Sequence, residues 1–159
     1  SNYITDLLDL ARAKRINLSQ NVSELDLVVL SQNCLRQFAP LFVKAQHRII
    51  LQAPKNLRIL GHQNLLAIAL RNLLDNALTH NPPQSVTKLK LIANPPQITL
   101  ITNSPPNFSV KNDHLTEGLK VGHKLIAQIA QIHQAQFISQ IETLGKQQIH
   151  RFELIFTAN

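Results

Sequence analysis

Leu70-Arg71-Asn72-Leu73-Leu74-Asp75-Asn76-Ala77-Leu78-Thr79-His80 is the stretch on which the reading of this chain turns. It closes a longer segment, Gln63 to His80, in which Leu66, Leu70, Leu73, Leu74, Ala77 and Leu78 recur at helical spacing. Asn81-Pro82-Pro83 then stops the helix, because proline has no backbone N–H to donate and disfavours a helical conformation in the residue before it. Asn72, Asn76 and His80 lie four apart, so they form one polar stripe beside the apolar one. A lone asparagine on a helix is ordinarily a solvated surface residue. Two of them at i and i+4, beside Asp75 and inside a leucine frame, are harder to dismiss.

Outward from this helix the chain alternates between two periods. Tyr3 to Arg15 is amphipathic with a basic end and is expected to be helical; Ile16 to Ser23 reads as a polar linker. Glu24 to Val28 alternates like a short strand. Ser31 to Gln46 predicts a second amphipathic helix, with Pro40 as a blemish. Arg48–Gln52 and Leu57–Leu60 predict strands parted by a turn. Beyond the central helix, Val86–Ala93 and Gln97–Thr102 predict strands joined across Asn94-Pro95-Pro96. Asn103 to Lys120 reads as a long polar loop, Gly122 is expected to open a third helix running to His133, and Phe137–Thr143 with Ile149–Phe156 close as a hairpin around Gly145. Helices with one-sided apolar faces and alternating strands predict an α+β fold. Its form is a two-layer sandwich with the helices on one face of a mixed sheet.

Composition narrows the chemistry. At 159 residues, with 44% apolar residues, the chain has the material for one domain with a real core. No run reaches the roughly 18 apolar residues of a membrane helix. Cys34 is the only cysteine, which excludes an internal disulfide and a cysteine-built zinc site. The net charge of +7 suits phosphate-bearing ligands, an anionic surface or nucleic acid. Between Leu27 and Asn112 the only carboxylate is Asp75, so paired-carboxylate catalysis and an acidic metal cage are excluded there. With one Tyr and six Phe, base-stacking platforms for single strands are not expected, and a nucleic-acid partner is not part of the reading.

The Leu70–His80 stretch resembles the N box of the GHKL, or Bergerat-fold, ATPases, and its wording resembles sensor histidine kinases, those of the QseC or PmrB type included. The resemblance implies that Asn76 ligates a Mg²⁺ bridging the phosphates of ATP, with Asn72 supporting the same site, Asp75 orienting water or metal, and His80 at the nucleotide. Amide oxygens are hard ligands of the kind Mg²⁺ takes. The run from Gly118 to His133 resembles the G2 box and its following helix. Gly118 and Gly122 match the outer glycines, whereas Lys120 replaces the usual middle one. Glycine lets backbone approach phosphate, and a helix N-terminus offers N–H groups to it; Lys120 and Lys124 would offset phosphate charge. The G1 box is the departure. Where the family has Asp-x-Gly-x-Gly, this chain has Thr102-Asn103-Ser104-Pro105-Pro106. Thr102 stands for the carboxylate that receives the adenine amino hydrogen, and Ser104 and Pro106 stand for the glycines. The loss of a charge-assisted hydrogen bond is worth about 1.5–3 kcal/mol. The loop after it is short for a nucleotide lid, with Phe108 its only aromatic residue.

By the same resemblance residues 1–16 are the end of a dimerisation and phosphoacceptor helix, 17–23 a linker, and 24–159 the ATP-binding catalytic domain of a bacterial inner-membrane kinase, on its cytoplasmic side. None of the seven histidines has the His-Glu-x-x-x-Pro setting of a phosphoacceptor. The partners implied are an upstream phosphoacceptor domain, a second copy in a homodimer, and a response regulator. The alternative is a regulatory module of the same fold that binds nucleotide weakly or not at all.

Overall fold

The computed structural model describes Leu8 and residues 22–105, 113–145 and 147–156, without the side chains of 113–122 and of Leu144. The helix and linker expected before Val22 therefore lie, Leu8 apart, outside the described residues. The elements are β1 (Ser23–Asp26), α1 (Leu27–Lys44), β2 (Arg48–Gln52), β3 (Arg58–Gly61), α2 (Gln63–Thr79), β4 (Val86–Ala93), β5 (Pro96–Asn103), α3 (Asp113–Ile132), β6 (Ala135–Leu144) and β7 (Gln147–Phe156).

Five strands form one mixed sheet in the order β2-β4-β5-β7-β6, with β2 and β4 parallel and the other pairs antiparallel. Register puts three polar-to-apolar rungs on one face. Thr87, Thr102 and His150 form the first rung, Leu89, Leu100 and Phe152 the second, and Leu91, Ile98 and Leu154 the third. All nine are buried. The intervening Lys88, Lys90 and Arg151 face the other way, and Arg151 reaches Glu153 at 3.6 Å and Glu142 at 4.0 Å. Such partly exposed ion pairs add little. The helices supply the other layer: α2 packs against both α1 and α3, and α3 against β6. Leu66, Leu70, Leu73 and Leu74 of α2 meet Leu125, Ile126 and Ile129 of α3 in one core cluster. Each such side chain contributes about 1.5–3 kcal/mol by leaving water.

Three boundaries differ from the sequence-based expectation, each for a physical reason. The first strand stops at Asp26 rather than Val28, because the Asp26 carboxylate accepts from the N–H of Val28 at 2.9 Å and of Leu57 at 3.0 Å. It thereby caps α1, which starts at Leu27 instead of Ser31. The helix also runs through Pro40 to Lys44. A proline inside a helix costs about 3 kcal/mol, which the burial of Phe38 and Phe42 on either side offsets. Second, β1 and β3 pair with each other as a separate antiparallel ribbon and do not join the main sheet. Third, the last helix begins at Asp113, not at Gly122. Leu115, Leu119, Ile126 and Ile129 share one helical period that passes straight through Gly118 and Gly122. A glycine inside a helix costs only about 1 kcal/mol, too little to break such a run.

Candidate functional site

As the middle helix of its layer, α2 has almost no solvent-facing side at its centre, and the polar stripe is enclosed. Asn72, Asn76 and His80 are 2%, 6% and 7% exposed. A buried amide must find partners, and Asn76 Nδ2 donates to Asn72 Oδ1 at 3.3 Å. Since the donor of Asn76 is turned toward Asn72, its own Oδ1 is the atom left to present to a ligand. Asp75 is half-buried one position away and raises the proton affinity of His80, while His150 and His123 oppose it.

The end of α2 is tied to the end of β5. Asn81 donates from Nδ2 to the carbonyl of Ala77 at 3.0 Å and accepts from the Ser104 hydroxyl at 2.8 Å. The Ser104 N–H donates to the carbonyl of Gln148 in β7 at 3.0 Å. Ser104 is therefore a buried clamp between helix and sheet, a position set by its hydroxyl as much as by its backbone.

Thr102, 1% exposed, faces the helix layer. Its hydroxyl lies 3.0 Å from that of Thr87, which lies 2.9 Å from Nε2 of His47. Across β7 its Cα partner is His150. Five histidines (47, 80, 123, 133 and 150) have their proton affinity lowered, chiefly by burial, so near neutral pH they are uncharged. The ring of His123 stands edge-on to Phe152 and Phe137, with centroids 5.3 and 5.8 Å away, and its Nε2 has no hydrogen-bond partner among the described residues.

The structure ties the C-terminal end of α2 to the end of β5 through Asn81 and Ser104; of the residues the sequence singled out, Asn72 and Asn76 are buried in the body of that helix with Asp75 half-buried between them, His80 is at its C-cap, and Thr102 is buried in β5. Gly118 and Gly122 are interior to α3 instead of preceding it. Lys120 lies in the same helix with its side chain outside the description, and Lys124 is exposed. Pro106 and the loop to residue 112, expected as a lid, lie outside the described residues. His47, Asn81, Thr87, His123 and His150 were missed. Thr87 and His150 were visible as polar residues on the inward phase of alternating strands, but His47 and Asn81 carry no local signal. No group of three or more His, Cys, Asp or Glu side chains converges as a metal cage among the described residues. The donor set nearest to fitting Mg²⁺ is the amide oxygen of Asn76, which would need phosphate oxygens to complete it.

Comparison with known proteins places this architecture. No protein-family model matches the chain. The sensor protein BasS of Salmonella typhimurium is 25% identical over 155 residues, 88% of this chain and 43% of BasS. The sensor-like histidine kinase SenX3 of Mycobacterium tuberculosis is 28% identical over 88 residues, 55% of this chain and 22% of SenX3. The chain spans less than half the length of these curated relatives. Among solved structures, the cytoplasmic segment of the histidine kinase QseC superposes with a TM-score of 0.68 at 22% identity, covering 98% of this chain and 91% of that one. The catalytic domain of the histidine kinase ThkA gives 0.66 at 17% identity, covering 84% and 95%. Full-length ShkA in complex with AMPPNP gives 0.69 at 18% identity, covering 98% and 36%. The fold is that of histidine kinase catalytic domains, and the two curated relatives are a sensor protein and a sensor-like histidine kinase. The chain therefore has the fold of histidine kinase catalytic domains and is similar in sequence to parts of sensor kinases.

Proposed function

We propose that this domain binds Mg·ATP and delivers the γ-phosphate to a histidine on a dimerisation helix preceding it, for passage to a response regulator. The observation that carries the reading is the buried Asn72–Asn76 pair, next to His80 and joined through Asn81 and Ser104 to the strand end bearing Thr102. A buried amide is costly unless it is hydrogen-bonded; here the bond from Asn76 Nδ2 to Asn72 leaves the oxygen of Asn76 for a hard cation. Mg²⁺ would be held there together with the phosphates, and it supplies charge neutralisation during phosphoryl transfer. His80 and Asp75 orient groups around it, and the N-terminal half of α3, with Gly118, Lys120 and Gly122, meets the phosphates. The likeness to ShkA, solved with an ATP analogue, supports a nucleotide at this place.

Within the same reading, residues 1–16 end the dimerisation helix and 17–23 link it to the catalytic domain. The whole protein is a homodimer whose kinase part stands on the cytoplasmic side of a membrane. The described part has no helix long and apolar enough to cross one. Calorimetric titration of the 159-residue chain with ATP, with and without Mg²⁺, tests the core of the proposal. Binding that strengthens with Mg²⁺ and disappears in Asn76→Ala supports it; no binding in either condition overturns it in favour of a nucleotide-free regulatory module.

A further inference from the structure

The two edges of the main sheet are unlike. β2 is an edge of five residues that opens on Arg48 and is soon followed by Pro54, so its length and charge blunt it. β6, on the other side, has ten residues and pairs only with β7 among the described residues. Its ladder runs from Ala135 opposite Phe156 to Leu144 opposite Gln147 in one unbroken register, with no bulge to turn the edge away. The strand holds no proline and no lysine, and Glu142 is its only charge. Ser139, Gln140, Ile141, Glu142 and Thr143 are exposed, Ile141 by 61%. Such an edge offers a row of backbone N–H and C=O groups to another strand.

Register limits what can pair there. In an antiparallel ladder alternate residues aim N–H and C=O at one neighbour, and the residues between them aim at the other. In two copies of β6 the outward-aiming residues have the same parity, so only residues of equal parity can meet. Both helix layers then lie on one side of the joined sheet. The register centred on Ser139 runs from Ala135 opposite Thr143, through Ser139 opposite itself. On the helix side it sets the exposed Ile141 against Phe137, which packs on the margin of the core and stacks on Phe152 with centroids 6.4 Å apart. On the other face it sets the Gln136 amide against the Glu142 carboxylate, and no like charges meet. Centring on Gln140 would put Ile141 opposite Ser139 and the Glu142 carboxylate opposite Ile138. Centring on Ile141 would pair only residues 138–144 and leave Phe137 out. The His123 ring of α3 stands against Phe137, whereas Ile141 is left open. A two-fold axis at Ser139 therefore brings the covered end of each strand beside the open end of the other.

We propose that β6 is a self-recognition edge, at which two copies of this chain pair β6 to β6 antiparallel about a two-fold axis at Ser139 and join their sheets into one. The contact belongs to the folded domain itself. It is separate from the dimerisation helix proposed for residues 1–16, and it does not rest on the nucleotide reading.

The test uses the 159-residue chain. Sedimentation equilibrium over a concentration series is expected to show a reversible monomer–dimer exchange. Ile141→Lys changes a side chain that the monomer already exposes, so circular dichroism and the thermal midpoint of the monomer should stay as they are. Because the substitution enters the interface twice, dimer affinity is expected to fall by about tenfold or more. Ser139→Cys reports the register: opposed residues of an antiparallel ladder have Cα atoms about 4.5–5.5 Å apart, within disulfide reach. Mild oxidation is expected to cross-link that variant. Thr143→Cys should stay uncross-linked, since its two copies stand about 27 Å apart. The native Cys34 is buried and adds no background. A wild type that remains monomeric overturns the proposal and leaves the edge to a strand of another protein. A dimer that Ile141→Lys leaves unchanged, or that Thr143→Cys cross-links and Ser139→Cys does not, also overturns it, because the copies are then joined elsewhere.

Discussion

Asn76 Nδ2 donates to Asn72 Oδ1 at 3.3 Å inside the helix layer, so one amide of the stripe orients the other. Their roles separate under mutation. Asn72→Ala leaves the Asn76 N–H without that acceptor, and the lost bond is expected to destabilise the fold by about 1–3 kcal/mol. Urea unfolding checks that value. Asn76→Ala is expected to remove Mg²⁺-dependent nucleotide binding while circular dichroism remains that of the folded chain.

Thr102→Asp places a carboxylate at a 1% exposed site. Adenine nucleotide is expected to bind more tightly, by up to the 10- to 150-fold that about 1.5–3 kcal/mol represents, and guanine nucleotide more weakly. The new charge is buried and receives a hydrogen bond from Thr87, so the midpoint of thermal unfolding should fall at the same time. Calorimetry with ATP and GTP, beside a thermal melt, reads both effects.

Gly61 has no room for a side chain. A Cβ there would stand 3.0 Å from Cδ2 of His133 and 3.0 Å from Cδ1 of Leu66. The His133 ring cannot swing aside freely, because its Nε2 accepts from the N–H of His62 at 2.9 Å and its Nδ1 lies 2.7 Å from the carbonyl of Ile129. Gly61→Ala is expected to destabilise by about 1–3 kcal/mol. Adding His133→Ala should recover part of the overpacking loss, a non-additivity that a double-mutant cycle measures.

Acid should loosen this fold earlier than its few carboxylates suggest. His47, His80, His123, His133 and His150 all hold protons less readily when folded than when unfolded, because burial disfavours the charged ring. Below the unfolded histidine value near 6.5 the unfolded chain binds more protons than the native one. The stability from neutral rings is thus complete above that pH and declines as pH falls through it. Equilibrium unfolding between pH 7.5 and 5.5 should show the midpoint dropping, and His150→Phe should flatten that drop.

Much of this architecture was legible in the chain. Local periodicity determined the element types and their order: the leucine spacing of Gln63–His80, the alternation of Val86–Ala93 and Ile149–Phe156, and the prolines that end the central helix. A run of apolar residues at one period dictates which face is buried, so the one-sided sandwich followed. The polar stripe of Asn72, Asn76 and His80 was likewise visible. What the tertiary structure decided was everything that depends on a partner distant in sequence. Asp26, which caps α1 through Val28, is also bonded to Leu57 across the ribbon, and the short strands at Ser23 and Arg58 pair with each other and not with the main sheet. Gly122 lies inside a helix that starts at Asp113, although the sequence reading expected it to open one. His47 lies 40 residues before Thr87, and Thr87 lies 15 before Thr102. No spacing rule joins residues so far apart; only strand register and burial, which leave a buried hydroxyl no water to bond, bring them into one chain.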